Sequence, residues 1–148
     1  MNKHTFSLIA LFAMVLLGIF MLNGCSGDDE ESIPATEATK KQLTSTVWKV
    51  SKVTIDGVTN TDEFAGLTLE FKENIFTTNN GNVVWPANDT WTFTDSTAKL
   101  FERGDGVVVT INSVSASNLT LSLTWDHDTV GGGRTASVSG NYVFEFVK

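Results

Sequence analysis

"LTLSLTW", Leu119–Trp125, decides the fold class. Leu119, Leu121, Leu123 and Trp125 take every second position, with Thr or Ser between them. Successive side chains of a strand point to opposite faces, so this segment has one apolar and one polar face. A helix would instead space its apolar residues three and four apart.

The same alternation runs outward in both directions. Towards the carboxyl end, "SVSGNYVFEFV" (137–147) sets Tyr142, Phe144 and Phe146 on one face, after a loop with three glycines. Towards the amino end come "VVVTINSV" (107–114), "AKLFE" (98–102) and "TWTFT" (90–94), the last with Trp91 and Phe93 on one face. "LTLEF" (67–71) aligns Leu67, Leu69 and Phe71, and "VWKVSKVTI" (47–55) ends at the turn dipeptide Asp56-Gly57. "IFTT" (75–78) and "NVVW" (82–85) flank Asn80-Gly81, a strong hairpin signal, and Pro86 ends the second run. Between Thr61 and Gly66, "TDEFAG" predicts one helical turn, with Thr61 as its cap. From Thr46 to Lys148 no amphipathic helix is found, and turn signals recur at intervals of roughly 8–15 residues. The reading is an all-β, eight-stranded antiparallel up-and-down barrel, which removes exposed strand edges by closing on itself.

The amino terminus follows other rules. Lys3 and His4 precede the uncharged run "FSLIALFAMVLLGIFML", which ends at Leu22-Asn23-Gly24-Cys25, and "SGDDEES" comes next. This resembles the lipobox of bacterial lipoproteins, with Leu at −3, a small residue at −1 and the cysteine at +1. Asn23 stands where Ala, Ser or Thr is usual. The resemblance implies cleavage before Cys25 and acylation of its thiol and its freed amine. One acyl chain holds a membrane only marginally, whereas two or more hold firmly. The acids Asp28, Asp29, Glu30 and Glu31 form a solvated tether. They also resemble the export signal of Bacteroidota lipoproteins bound for the outer face of the outer membrane. The expected organisation is a signal peptide over 1–24, an acidic tether carrying the acylated cysteine over 25–42, and a barrel over 43–148. "ATKKQL" (38–43) is the one stretch before the barrel that reads as a short helical turn.

The quoted strands, from "LTSTVWKVSKVTIDG" (43–57) to the closing "GNYVFEF" (140–146), also look like the lipocalin-like domains of Bacteroidota lipoproteins. That resemblance covers about residues 43–148. It implies that Trp48 plugs the closed end of the barrel. An eight-stranded barrel is just wide enough to be filled by side chains or to hold one small guest, so a small apolar or glycan ligand in its mouth is the expected function.

Charge and composition exclude several classes. The formal net charge of the 148 residues is −7, with basic residues scattered, so nucleic acid is not an expected partner. One cysteine permits no intramolecular disulfide. Asp126-His127-Asp128 is the only cluster with metal or acid–base potential, but adjacent strand residues diverge, and it reads as a polar loop. "GGGR" (131–134) is similar to phosphate-cradling loops, yet leads into a strand rather than a helix. Asp56, Asn60 and Asp62 miss the EF-hand spacing. No serine sits in a nucleophile elbow. No cofactor, no metal and no catalytic residue is expected.

The candidate ligand contacts are Trp85, Trp91 and Trp125. Trp91 and Trp125 share strand faces with Phe93 and the leucines, which favours core packing; Trp85, before Pro86, reads as a rim residue. Asp95-Ser96-Thr97 and Asp128-Thr129-Val130 look like Bacteroidota O-glycosylation triplets, with Ser96 and Thr129 as acceptors. The expected partners are the membrane through Cys25, a small ligand, and as the rival a protein of the outer membrane to which the chain would be a structural subunit.

Overall fold

The computed structural model describes residues 33–126, 130–131, 134–135 and 139–148. It opens with helix α1 (Ala35–Leu43). Ala, Glu, Lys and Gln are good helix formers. Glu37 in its first turn and Lys40 and Lys41 in its last suit the helix dipole. The helical turn expected over 38–43 is present and starts earlier, at Ala35, within the span given above to the tether. Its stop is local: the Thr44 N–H donates to the Lys40 carbonyl at 2.9 Å, and the Thr44 hydroxyl donates to the same oxygen.

Strand β1 (Val47–Ile55) turns at Asp56-Gly57 into β2 (Val58–Thr59). Asp56 and Gly57 both have positive φ (49° and 82°), the demand of a tight hairpin turn. A single 3-10 turn (Thr61–Phe64) follows, as predicted. Thr61 does not cap it. Its hydroxyl accepts the Val53 N–H at 3.1 Å, tying the turn to β1 instead. Next come β3 (Thr68–Phe71), β4 (Ile75–Asn79), β5 (Asn88–Phe93), β6 (Leu100–Arg103), β7 (Val108–Val114) and β8 (Asn118–Trp125). The two-residue strands β9 (Val130–Gly131) and β10 (Arg134–Thr135) pair with each other, and β11 (Gly140–Val147) ends the fold.

Each long strand pairs antiparallel with its neighbour in sequence, and β11 returns to pair with β1 from Lys49↔Val147 to Ile55↔Tyr142. The result is the expected closed eight-stranded antiparallel barrel. "NVVW" is the exception to the strand reading. Residues 82–85 form a turn, in which the Trp85 N–H donates to the Gly81 carbonyl at 2.9 Å. Asn80 and Asn82 take left-handed φ of 55° and 53°. A Cβ on Gly81 would stand 2.2 Å from the Trp85 carbonyl oxygen, so only glycine lets the chain close here.

The strand directions define two ends. The helix end carries α1, the β3–β4 turn, the β5–β6 loop, the β7–β8 turn and Lys148. The loop end carries the β1–β3 connection, residues 80–87, Gly104–Val107, the end of β8, the β9–β10 pair and the start of β11. At the helix end Trp48 is fully buried, and its indole N–H donates to the Leu43 carbonyl at 2.9 Å. The first-strand Trp therefore plugs this end, with α1 beneath it.

Asp56 closes the loop end on one side. Its carboxylate accepts the backbone N–H of Asn141 at 3.0 Å and the side-chain amide of Asn141 at 2.9 Å. The backbone hydrogen bond chiefly, and the amide next, hold the Asp56 carboxyl below its ordinary value. A carboxylate with a depressed folded pKa contributes stability that is present above its ordinary value and lost as pH falls through the folded one. Asp56→Asn should therefore lower stability at neutral pH, where the charged carboxylate contributes, and leave it little changed at acid pH below the folded value, so that the acid limb of the stability–pH profile flattens, as read by urea midpoints.

Candidate functional site

The mouth at the loop end is where an up-and-down barrel would admit a guest. Alternation along the strands aims Phe71, Phe76, Phe101, Leu121, Tyr142 and Phe144 inward, and all six are buried. Two further side chains enter from outside the sheet. Phe64, on the 3-10 turn, meets Phe144 edge-on at 5.2 Å between ring centres. Trp85, from the 80–87 turn, meets Phe76 at 5.6 Å and Phe144 at 5.8 Å, again edge-on. Such edge-to-face rings are the geometry that packed aromatics prefer.

Trp85 is 1% exposed. The rim position expected for it is thus corrected: it lies in the core, because the turn at residues 81–85 swings the indole over the barrel axis. Val84 beside it is also fully buried. Trp91 is 4% exposed and donates its indole N–H to the Lys72 carbonyl at 3.1 Å; Trp125 is 7% exposed. All three candidate ligand contacts are core residues, spread over different parts of the barrel wall and mouth rather than gathered around one opening.

The side chain that sequence reasoning missed is Arg103, which has no exposed side-chain surface. Its guanidinium donates to the Val84 carbonyl at 2.6 Å and to both oxygens of Asp105. It also lies 5.1 Å from the Trp85 ring centre and 5.9 Å from that of Phe76, within cation–π range. Asp105 is partly open to water and accepts the Val107 N–H, while its own N–H donates to Asp89. Arg103 thus ties the turn bearing Trp85 to the barrel wall. The Trp85 Nε1–H has no hydrogen-bond partner among the described residues. The signal for Arg103 was present, since period two places it on the face of Phe101.

Two clefts indent the outside of the wall. One of about 690 Å³ lies over β7, β8 and β11, with Thr110, Ser122, Thr124, Asn141 and Val143 on its floor and Asp105 at its edge. Another of about 480 Å³ lies over β5 and β6, between Thr92, Glu102 and Gly104. A third hollow, of about 830 Å³, sits between α1, Glu73, Ala116 and Lys148 at the helix end.

Asp126 is exposed; His127, Asp128 and Thr129 lie outside the described residues, as do Gly132, Gly133 and Cys25. Among the described residues, no three His, Cys, Asp or Glu side chains gather as a metal site. Ser96 is exposed in the β5–β6 loop, where Asp95 accepts both the N–H and the hydroxyl of Thr97. Among the described residues, no helix is long and apolar enough to cross a membrane. No protein-family profile, no curated protein and no solved structure matches the chain.

Proposed function

We propose that this chain is a lipid-anchored, non-catalytic module of the bacterial outer membrane that works through its outer surface. The observation that carries this reading is the filled barrel: Trp85, Val84 and Phe64 occupy the mouth, and Arg103 fixes the turn that carries Val84 and Trp85. An eight-stranded barrel is narrow enough for its own side chains to fill it. The fold is compatible with a lipocalin-like domain, but a guest inside would have to displace Trp85. The rival named from the sequence, an interaction subunit, therefore takes precedence. Mild crosslinking in the producing cell tests it. A reproducible protein partner supports it, and a chain that crosslinks to none overturns it.

A small-ligand reading keeps one specific support. The floor of the 690 Å³ cleft offers the hydroxyls of Thr110, Ser122 and Thr124 and the amide of Asn141 in adjacent strands, a surface suited to a glycan. Chemical-shift changes confined to these residues on adding oligosaccharides would establish it.

The anchor rests on the Leu22–Cys25 sequence. Cys25→Ser should abolish incorporation of labelled palmitate and release the protein from the membrane fraction, because without acyl chains nothing in the reading holds it there. Unchanged membrane association of the variant would refute the anchor.

A further inference from the structure

The two ends of the barrel differ in chemistry. Six large apolar side chains are exposed in the described part of the chain, and four of them, Ile33, Val47, Ile75 and Val147, lie at the helix end. Val47 starts β1, Ile75 starts β4, Val147 ends β11, and Ile33 lies two residues before α1. Each of the three strand residues points away from the barrel axis, since Trp48, Phe76 and Phe146 beside them are buried. Lysines share this end: Lys40 and Lys41 on α1, Lys72 after β3, Lys99 before β6, and Lys148. Lys49 is one ladder position in, opposite Val147. Glu37, Glu70, Glu73 and Asp95 are fewer; Glu73 is taken up by Lys40, and Glu70, opposite Val47, lies 3.8 Å from Lys72. The loop end is the reverse, with Asp56, Asp62, Glu63, Asp89, Asp105 and Asp126 against Arg134 of β10 and the buried Arg103.

The geometry points to the helix end as a membrane-contact face: the barrel stands on an anionic lipid surface, with its apolar rim and lysines at headgroup level and its acidic loop end turned outward. The inference rests on the anchor reading. Cys25 precedes Ile33 by eight residues, and no chain conformation spans more than about 3.6 Å per residue, so an acylated Cys25 keeps Ile33 within roughly 30 Å of the bilayer. Lysines near an anionic surface contribute attraction, and apolar side chains among them are what an interfacial segment buries between headgroups. The tether acids Asp28–Glu31 are a competing partner for the lysines, but they offer nothing to the apolar rim. A lipid interface satisfies both.

The test uses the full acylated chain, purified from cells and reconstituted in vesicles of phosphatidylcholine with phosphatidylglycerol. Acylation blocks Cys25, so a cysteine introduced elsewhere is the only site for an environment-sensitive thiol dye. Ile75→Cys and Val147→Cys report the helix end, and Val58→Cys and Val108→Cys report the loop end. All four replace exposed side chains, and near-ultraviolet circular dichroism checks the fold. Headgroup-proximal spin-labelled lipid should quench the first pair about twofold or more and leave the second pair unchanged, since interfacial groups sit roughly 5–10 Å deep. Protein that floats with the vesicles but shows no quenching at the helix end, or equal quenching at both ends, overturns the contact face and leaves the anchor standing. Parent protein that takes the dye at Cys25 and fails to float removes the anchor and this inference together.

Discussion

Trp48→Ala lowers the stability of the barrel by about 3–5 kcal/mol, the range for removing a fully buried large aromatic. The indole is completely inaccessible and its N–H is bound to the Leu43 carbonyl. Truncation therefore does three things. It exposes the lost transfer energy of the ring. It leaves a cavity that Leu43, Leu69 and their neighbours, held by the barrel ladder, can only partly fill. It also orphans the Leu43 carbonyl, one of the last four of α1 that lack an acceptor role inside the helix. A domain of this kind is stable by only about 5–15 kcal/mol, so the melting temperature should fall on the order of 10 °C or more. Trp48→Phe separates packing from hydrogen bonding. It keeps most of the ring and loses the bond, which is expected to cost roughly 1 kcal/mol beyond the ring's smaller size. Amide exchange should then accelerate in residues 35–43 before it does in β1, because Leu43 is the one buried side chain of α1 and the Lys40–Glu73 pair is exposed to water. Urea melts of both variants decide. A cost below about 1 kcal/mol for Trp48→Ala would mean that α1 and Trp48 are not part of one cooperative unit.

The strands were legible wherever a single face had to be apolar. In β8 and β11 the alternation is long, and the predicted bounds agree with the structure within a few residues; β1 also keeps its predicted bounds, although an irregularity between Val50 and Lys52 switches its buried parity from Trp48 to Val53 and Ile55. The error at residues 82–85 has a physical origin. Val84 and Trp85 are adjacent and both buried, which a strand cannot arrange because neighbours point to opposite faces. Only a turn can send both inward. The Asn80-Gly81-Asn82 stretch, read as a hairpin, supplies that turn through two left-handed asparagines. The same parity rule, applied to "LFER", puts Arg103 beside Phe101 in the core. A charge in an interior needs a partner that one sequence does not reveal. Asp105 is two residues away, yet the carbonyl of Val84 and the rings of Trp85 and Phe76 come from segments 18 to 27 positions earlier, brought close only by barrel closure. The polarity between the two ends was likewise hidden, because net charge averages over surfaces that the fold separates.

Asp105→Ala destabilises the protein more than Arg103→Met does, although each removes one half of the same ion pair. The reason lies in what is left behind. Without Asp105, Arg103 keeps a full charge in a place with no exposed surface, and its remaining partners are one carbonyl and two ring faces. Breaking a fully buried pair this way costs roughly 3–5 kcal/mol; because the Asp105 side chain is 37% exposed and water can take over part of its role, about 2–3 kcal/mol is expected here. Without Arg103, the partly exposed Asp105 carboxylate hydrates readily. Met fills the space beside Phe76 and Trp85 with a flexible apolar chain, and sulfur next to aromatic rings is favourable. The Val84 carbonyl loses its guanidinium donor, which limits the gain, so the net change should stay within about 1 kcal/mol. The double variant makes the argument decisive. In the Arg103→Met background Asp105→Ala should cost much less, retaining only its loss of the Val107 N–H contact. If Asp105→Ala costs the same in both backgrounds, the Asp105 bonds within the Gly104–Val107 loop, and not the ion pair, hold the mouth together. Tryptophan fluorescence of the same samples, differenced against their Trp85→Phe counterparts to remove Trp48, Trp91 and Trp125, shows where Trp85 goes. It should stay buried with Met at 103 and become exposed in Asp105→Ala, since the plug is then fixed to a charge that is itself drawn towards water.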